Sequence, residues 1–367
     1  MACSSTPRAS PRSTATRSSR TSSRSRATTR ASRARKRRPE PPDGNAMIDR
    51  RTLFLSLAAT AASPEAFAQA WPAKPIRIIV PFPAGQATDI LARMMADQLT
   101  RALGQQVIAE NRPGAGGQIG ADVAAKAAPD GYTLLMVTIS THGISPALYP
   151  KLPYDPQKDF APIANIGLTP QVLMTSLKSG INSISDLVAK AKAGADLNYG
   201  SSGNGSASHL AVEMLKSAAG IKLTHVPFKG NAEAQLALQS GDIQLLSDAV
   251  PGAVGPVRSG KVKAIGIADE RRSPFLPDLP TVAEQGIQGV VAVGWIGLSA
   301  PAKTPEPILD RLSAEVMRIL KDPAVLEKMK SLSFVPAKES RQEFEAYIAI
   351  ENTKWRKIIQ DAGVKIE

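Results

Sequence analysis

The chain has one cysteine, three histidines and no long apolar run, and each shortage excludes a class of function. The only thiol is Cys3, so there is no disulfide framework and no thiol chemistry in the body of the chain. His142, His209 and His225 lie far apart and lack metal-ligand spacing, so no zinc site and no cofactor are expected. No stretch is long and apolar enough to be a mature transmembrane helix. No G-x-S-x-G elbow occurs, and no acid partner for a Ser–His pair is recognisable.

What is abundant is positive charge, +13 over 367 residues. It is unevenly placed. Residues 1–46 hold 12 Lys and Arg against two acids, Glu40 and Asp43, whereas residues 71–367 carry 31 basic and 28 acidic side chains. The basic signal therefore belongs to an arm rich in Ser, Thr, Arg, Pro and Ala. Such an arm buries too little apolar surface to offset its ordering entropy and is expected to be disordered. It reads either as a nucleic-acid-binding tail or as a segment upstream of the true start.

The residues that follow favour the second reading. Met47 precedes Asp49, Arg50 and Arg51, then an apolar run over 53–62, then small residues ending at Ala70. A charged region, a short apolar region and a small-residue cleavage site make a secretory signal, which places the mature protein outside the cytoplasm after cleavage near Ala70. Arg50-Arg51 also fits a twin-arginine signal; general secretory and twin-arginine export both remain open.

From residue 71 the pattern alternates. Strands are expected at 76–80, 106–110 and 132–139, with helices from Thr88 or Asp89 to Gly104 and over 116–128. That order implies a parallel sheet with helices on both faces. The grammar repeats between 172 and 268, with strands at 172–175, 197–199, 222–226, 243–246 and 263–268 and helices between them. The C-terminal region is helical, with apolar faces over Ile308 to Leu320 and Phe344 to Ile359 that must pack on the first sheet. The expected organisation is an arm (1–46), a signal peptide (47–70), the first part of lobe 1 (71–172), lobe 2 (173–290) and a return to lobe 1 (291–367). The expected fold class is α/β, in two lobes with a cleft between them.

Three loops carry candidate chemistry. Residues 81–89 join the first strand to its helix, where backbone N–H groups at a helix N-terminus suit an anion. Residues 111–120 contain Gly114, Gly116 and Gly120, a pattern like some dinucleotide loops. They follow the second strand, and Asp130 sits in a turn, so a tight turn is the better reading. Residues 199–210 crowd Ser201, Ser202, Ser206 and Ser208 between a strand and a helix start, a donor-rich surface suited to a carboxylate.

At these loops the sequence resembles the Bug family (Bordetella uptake gene products), the periplasmic receptors of tripartite tricarboxylate transporters. The matching residues run in order over the whole body: Trp71-Pro72, Val80-Pro81-Phe82-Pro83-Ala84-Gly85 with Thr88-Asp89, Asn111-Arg112-Pro113-Gly114, Pro129-Asp130-Gly131-Tyr132, Leu152-Pro153-Tyr154-Asp155-Pro156, Tyr199-Gly200-Ser201, His209-Leu210, His225-Val226-Pro227-Phe228-Lys229-Gly230 and Leu279-Pro280-Thr281. The resemblance implies a two-lobed, type II (Venus flytrap) periplasmic-binding fold. It implies a solute-binding protein and not an enzyme, with a small organic acid or amino acid as ligand. Permease subunits or a sensor kinase are the implied partners, with no nucleic acid and a monomeric chain.

Carried onto this chain, the family's ligand contacts fall on Phe82, Gly85, Ala87, Thr88 and Asp89 in one lobe and on Ser201, Ser202, Ser206 and Ser208 in the other. Asp248 is a further candidate, and Ser140 and Thr141 complete the wall. Asp89 also reads as a helix N-cap. The family usually has a second glycine after Gly85, and Gln86 stands there instead, which narrows the pocket or supplies an amide. The rival reading is an α/β enzyme, a nucleotide-dependent oxidoreductase or a Ser hydrolase.

Overall fold

Strand β1 (Ile76–Val80) has four of its five side chains fully buried. A run buried on both faces suits the interior of a parallel sheet, and β1 lies between β2 (Val107–Asn111) and β3 (Thr133–Thr138), parallel to both. These elements come from a computed structural model that describes residues 71–361. The basic arm and the signal peptide expected from the sequence lie outside the described residues.

Helix α1 (Ala87–Leu103) connects β1 to β2. Leu91, Met95 and Leu99 recur every fourth residue and are fully buried on one face. Gly104, at φ 69°, ends the helix by returning its N–H to the Thr100 carbonyl at 3.1 Å. At its start the helix differs from expectation. The N-cap position is Gln86, which makes no side-chain cap, and Asp89 sits in the first turn, where its carboxylate folds back onto the Gly85 N–H. Helix α2 (Gln118–Ala125) connects β2 to β3. Strand β3 stops at Thr138, one residue short of the expected end, because a wide helical turn (Ile139–Ile144) begins there, closed by reciprocal bonds between Thr138 and Thr141.

The chain then enters β4 (Phe160–Thr175), a 16-residue strand of which only the last four residues were expected. Pro162, Asn165, Gly167, Thr169 and Pro170 hide the strand by interrupting its apolar run, and the register shifts twice to accommodate them. Its first part pairs antiparallel with β9 (Val293–Pro301), which joins β4 to β3. Its last part pairs with β7 (Leu245–Ala249) and β8 (Lys263–Ala268). Parallel strands β5 (Asn198–Ser201) and β6 (Thr224–Pro227) extend the β7 side. β4 therefore carries the chain from the lobe 1 sheet into the lobe 2 sheet. The return is by Ala292, whose carbonyl accepts from Gln171 N–H at 3.2 Å and whose N–H reaches the Ala268 carbonyl at 2.8 Å.

Lobe 2 carries helices α3 (Ile184–Lys192), α4 (Ala207–Ala219), α5 (Asn231–Ser240) and α6 (Val250–Arg258). The last has Pro251, Gly252, Gly255 and Pro256 within it, which conceals it in the sequence. The C-terminal helices do pack on the first sheet. Leu309, Leu312, Val316 and Ile319 of α7 (Glu306–Ile319) share a core with Ile78, Leu134 and Leu91. Phe344 of α8 (Arg341–Asp361) lies edge-on to Trp295 of β9, with ring centroids 5.5 Å apart. Gly297 leaves the room that this ring fills; a Cβ there would collide with it.

Candidate functional site

The carboxyl ends of β1 and β3 face those of β5 and β7 across a cavity of about 350 Å³. Ligands in open α/β sheets settle at such ends. The first turns of four helices supply much of the wall: Ala87 and Thr88 of α1, Ala207 and Ser208 of α4, Asn231 and Ala232 of α5, Pro251 and Gly252 of α6. Each helix N-terminus carries a partial positive charge, and no Lys or Arg stands in the cavity lining.

On the lobe 1 side, Phe82, Gly85, Ala87, Thr88 and Ser140, all named from the sequence, line the cavity. Asp89 does not; it stands behind the loop and holds it. Its carboxylate accepts from Gly85 N–H at 2.9 Å, Asn111 Nδ2 at 2.9 Å and Arg93 Nε at 3.0 Å. Burial pushes this carboxyl up, but the bonds from Arg93, Gly85 and Asn111 outweigh it and hold the group below the ordinary carboxylate value. Asn111 also donates to the Phe82 carbonyl at 2.9 Å, so the 81–89 loop is pinned at both ends. Thr141 is fully buried away from the cavity, its hydroxyl 3.0 Å from His142 Nδ1.

On the lobe 2 side, Ser202 and Ser208 line the cavity, and Ser201 and Ser206 stand behind them. The hydroxyls form a chain: Ser202 to Ser208 at 3.1 Å and Ser206 to Ser208 at 3.0 Å. Ser206 also caps α4 by accepting from His209 N–H at 3.3 Å. Ser201 lies 2.6 Å from His225 Nε2. That Ser–His pair is a poor nucleophile for a cavity ligand, since the Ser201 side chain is fully buried and does not reach the cavity. His209 and His225 stack with centroids 4.1 Å apart. Burial lowers them to about 4 and about 3, so both are neutral near pH 7. No group of metal-ligating side chains occurs among the described residues.

Several lining residues escaped the sequence reading. Thr169 and Gln171 belong to the unrecognised part of β4, and Trp295 to β9. Asn231 and Gln235 project from α5 four residues apart, and both donate to Asp248. That spacing at a helix start was the one signal available in sequence, but it looks like an exposed polar face until β7 is placed beside it.

Two hydrogen bonds join the lobes beside the cavity. Ala207 N–H donates to Ser140 Oγ at 3.1 Å, and Tyr149 Oη donates to the Asn204 carbonyl at 3.1 Å. Beside them Gly116, at φ 63°, lies so close that a Cβ would sit 2.6 Å from the Asn204 carbonyl oxygen. On the opposite rim the Gln86 amide reaches Gly230, where a Cβ would collide with it, and its nitrogen is buried without a partner. Gln86 therefore narrows the mouth.

Comparison with known proteins bears on this arrangement. Residues 91–364 match the family model of the tripartite tricarboxylate transporter family receptor, TctC. This chain belongs to that receptor family. The periplasmic binding protein BugD has a similar structure, with a TM-score of 0.77 and 34% identity over 81% of this chain and all of that one. A protein of R. palustris with adipate gives a TM-score of 0.78 and 32% identity, covering 80% of this chain and 99% of that one. MatC from Rhodopseudomonas palustris with bound malate gives 0.75 and 34%, covering 79% and 100%. The receptor is thus a Bug-type, two-lobed solute-binding protein, and its family comprises periplasmic receptors.

Proposed function

We propose that this receptor captures a small carboxylate between its lobes and closes on it, presenting the closed form to a membrane permease or a sensor. The observation that carries the proposal is the cavity itself, lined by four helix N-termini and a chain of serine hydroxyls, with no basic side chain. Phe82, Gly85, Ala87, Thr88 and Ser140 from lobe 1 and Ser202, Ser208 and Asp248 from lobe 2 are the direct contacts. Asp89, Thr141, Ser201 and Ser206 hold those contacts in place. The ligand stabilises the closed state because only there does it touch both lobes. The adipate and malate found with two similar proteins support the carboxylate class.

The protein acts by binding and turns nothing over. It works in the periplasm as a monomer after removal of the 47–70 segment, with lobe 2 spanning the chain between the β4 crossing and Ala292. A thermal-shift screen of the purified protein against small carboxylates tests this. Saturation at a hundred times Kd adds about 2.7 kcal/mol, and the shift should vanish in a Thr88→Ala, Ser208→Ala double variant. Absence of any shift across the panel would overturn the reading.

A further inference from the structure

One corner of the cavity differs from the rest. Asp248 is the sole ionisable residue in the lining and is only 6% exposed. Its Oδ1 accepts from the Asn231 side-chain amide and from Ala249 N–H at 2.7 Å, and its Oδ2 accepts from Gln235 Nε2 at 2.6 Å. These donors fix Asp248 as an acceptor. They also fix the Asn231 amide, whose nitrogen faces the carboxylate and whose oxygen turns away. That oxygen is buried with no hydrogen-bond partner, on a residue only 9% exposed that itself lines the cavity. A buried acceptor is left unsatisfied only at a cost, so the corner lacks a donor.

Electrostatics select the kind of donor. The positive ends of α5 and α6 are already matched by Asp248, whereas the acid at the start of α1, Asp89, is matched by Arg93. The first turns of α1 and α4 are therefore left for an incoming anion. Among the described residues no cation pairs with Asp248; on α4, which packs on β7, Lys216 pairs with Glu213 and His209 is neutral. Strands β4, β5 and β7 hold no other charged residue. Glu233 of α5 and Arg258 of α6 are exposed, and Lys263 pairs with Thr175 at the far end of β4. Burial accordingly raises the Asp248 carboxyl to about 6.

We propose that Asp248, with Asn231 and Gln235, receives an ammonium group, so that the ligand is an amino acid or another zwitterion whose carboxylate lies at the first turns of α1 and α4. This rests on the carboxylate reading above. An ammonium supplies both the missing donor and the missing positive charge. The second carboxylate of a dicarboxylate would face Asp248 with no cation to separate them and would bind only with a proton.

Titration calorimetry of the purified protein with matched pairs tests this: L-glutamate against glutarate, and 6-aminohexanoate against adipate. The ammonium-bearing member of at least one pair should bind about tenfold tighter at neutral pH. Near pH 6 its binding should release roughly half a proton, because a half-protonated Asp248 must ionise. Comparing buffers of different ionisation enthalpy reads the sign on the unaltered protein, so the test does not depend on a variant folding. Asp248→Asn should weaken the ammonium ligand about tenfold and tighten the dicarboxylate, whose second carboxylate then no longer faces a like charge. Tighter dicarboxylate binding in both pairs, proton uptake on binding, or unchanged ammonium affinity in Asp248→Asn would each overturn the proposal while leaving the carboxylate reading intact. No binding by any member would overturn both.

Discussion

Each lobe buries one aspartate beside the cleft, and the two titrate in opposite directions. Asp89 in lobe 1 and Asp248 in lobe 2 are both more than nine-tenths buried beside a helix N-terminus, and each accepts three or more hydrogen bonds. Asp89 has Arg93 and is held below the ordinary carboxylate value; Asp248 has only neutral donors and is raised to about 6. Burial raises both; at Asp89 the bonds from Arg93, Gly85 and Asn111 outweigh it, and at Asp248 the neutral donors do not. A buried carboxylate supplied with its own cation is scaffold. One left without a cation, facing a cavity, is open to a partner from outside.

The contrast can be broken most forcefully at Asp89. Asp89→Ala strands the Gly85 N–H and the Asn111 amide, and should destabilise the protein by about 4 kcal/mol in urea unfolding without ligand. Asp248 sets the next effect. Because its folded-state value lies above the unfolded one, the folded chain holds the proton more tightly, and stability falls as pH rises from the ordinary carboxylate value to about 6. That loss should reach about 2 kcal/mol between pH 4 and 7, and Asp248→Asn should flatten this part of the pH profile. Asp89 has the opposite sign, its contribution being lost only on acidification through its lowered value.

Two smaller effects move the lobes without touching either aspartate. Gly116→Ala meets the Asn204 carbonyl oxygen, a backbone atom with little freedom to yield. It should wedge the cleft open and weaken ligand binding about tenfold, with an increased radius of gyration in solution scattering. Gly230→Ala collides chiefly with the end of the Gln86 side chain, which can swing aside, and touches the Pro83 ring at 3.0 Å. Its effect on Kd should stay within about threefold, and Gln86→Gly should reduce it to what the Pro83 contact leaves.

Much of the fold was legible because it is periodic. The 76–80 run and the Leu91, Met95 and Leu99 stripe declare a buried strand and an amphipathic helix. Strand β4 was not legible, since Pro162, Gly167 and Pro170 look like breakers until β9 supplies a partner that tolerates bulges. At the site, the loops that form the walls were visible in their glycines and serines. Which hydroxyl faces inward was not. Ser201 and Ser202 are neighbours, yet Ser201 ends strand β5 and meets His225, whereas Ser202 opens the following loop and meets the cavity.

The sequence by itself determined the two α/β units, their order, the family, and the two strand-to-helix loops from which the cleft is made. Those are local properties, written in spacing and in the residues a tight turn demands. Only the tertiary structure decided that Asp89 belongs to the scaffold and Asp248 to the cavity. A carboxylate's role depends on which charges and donors lie within a few ångströms, and for Asp248 these come from another element, α5, 13 and 17 residues away in the chain.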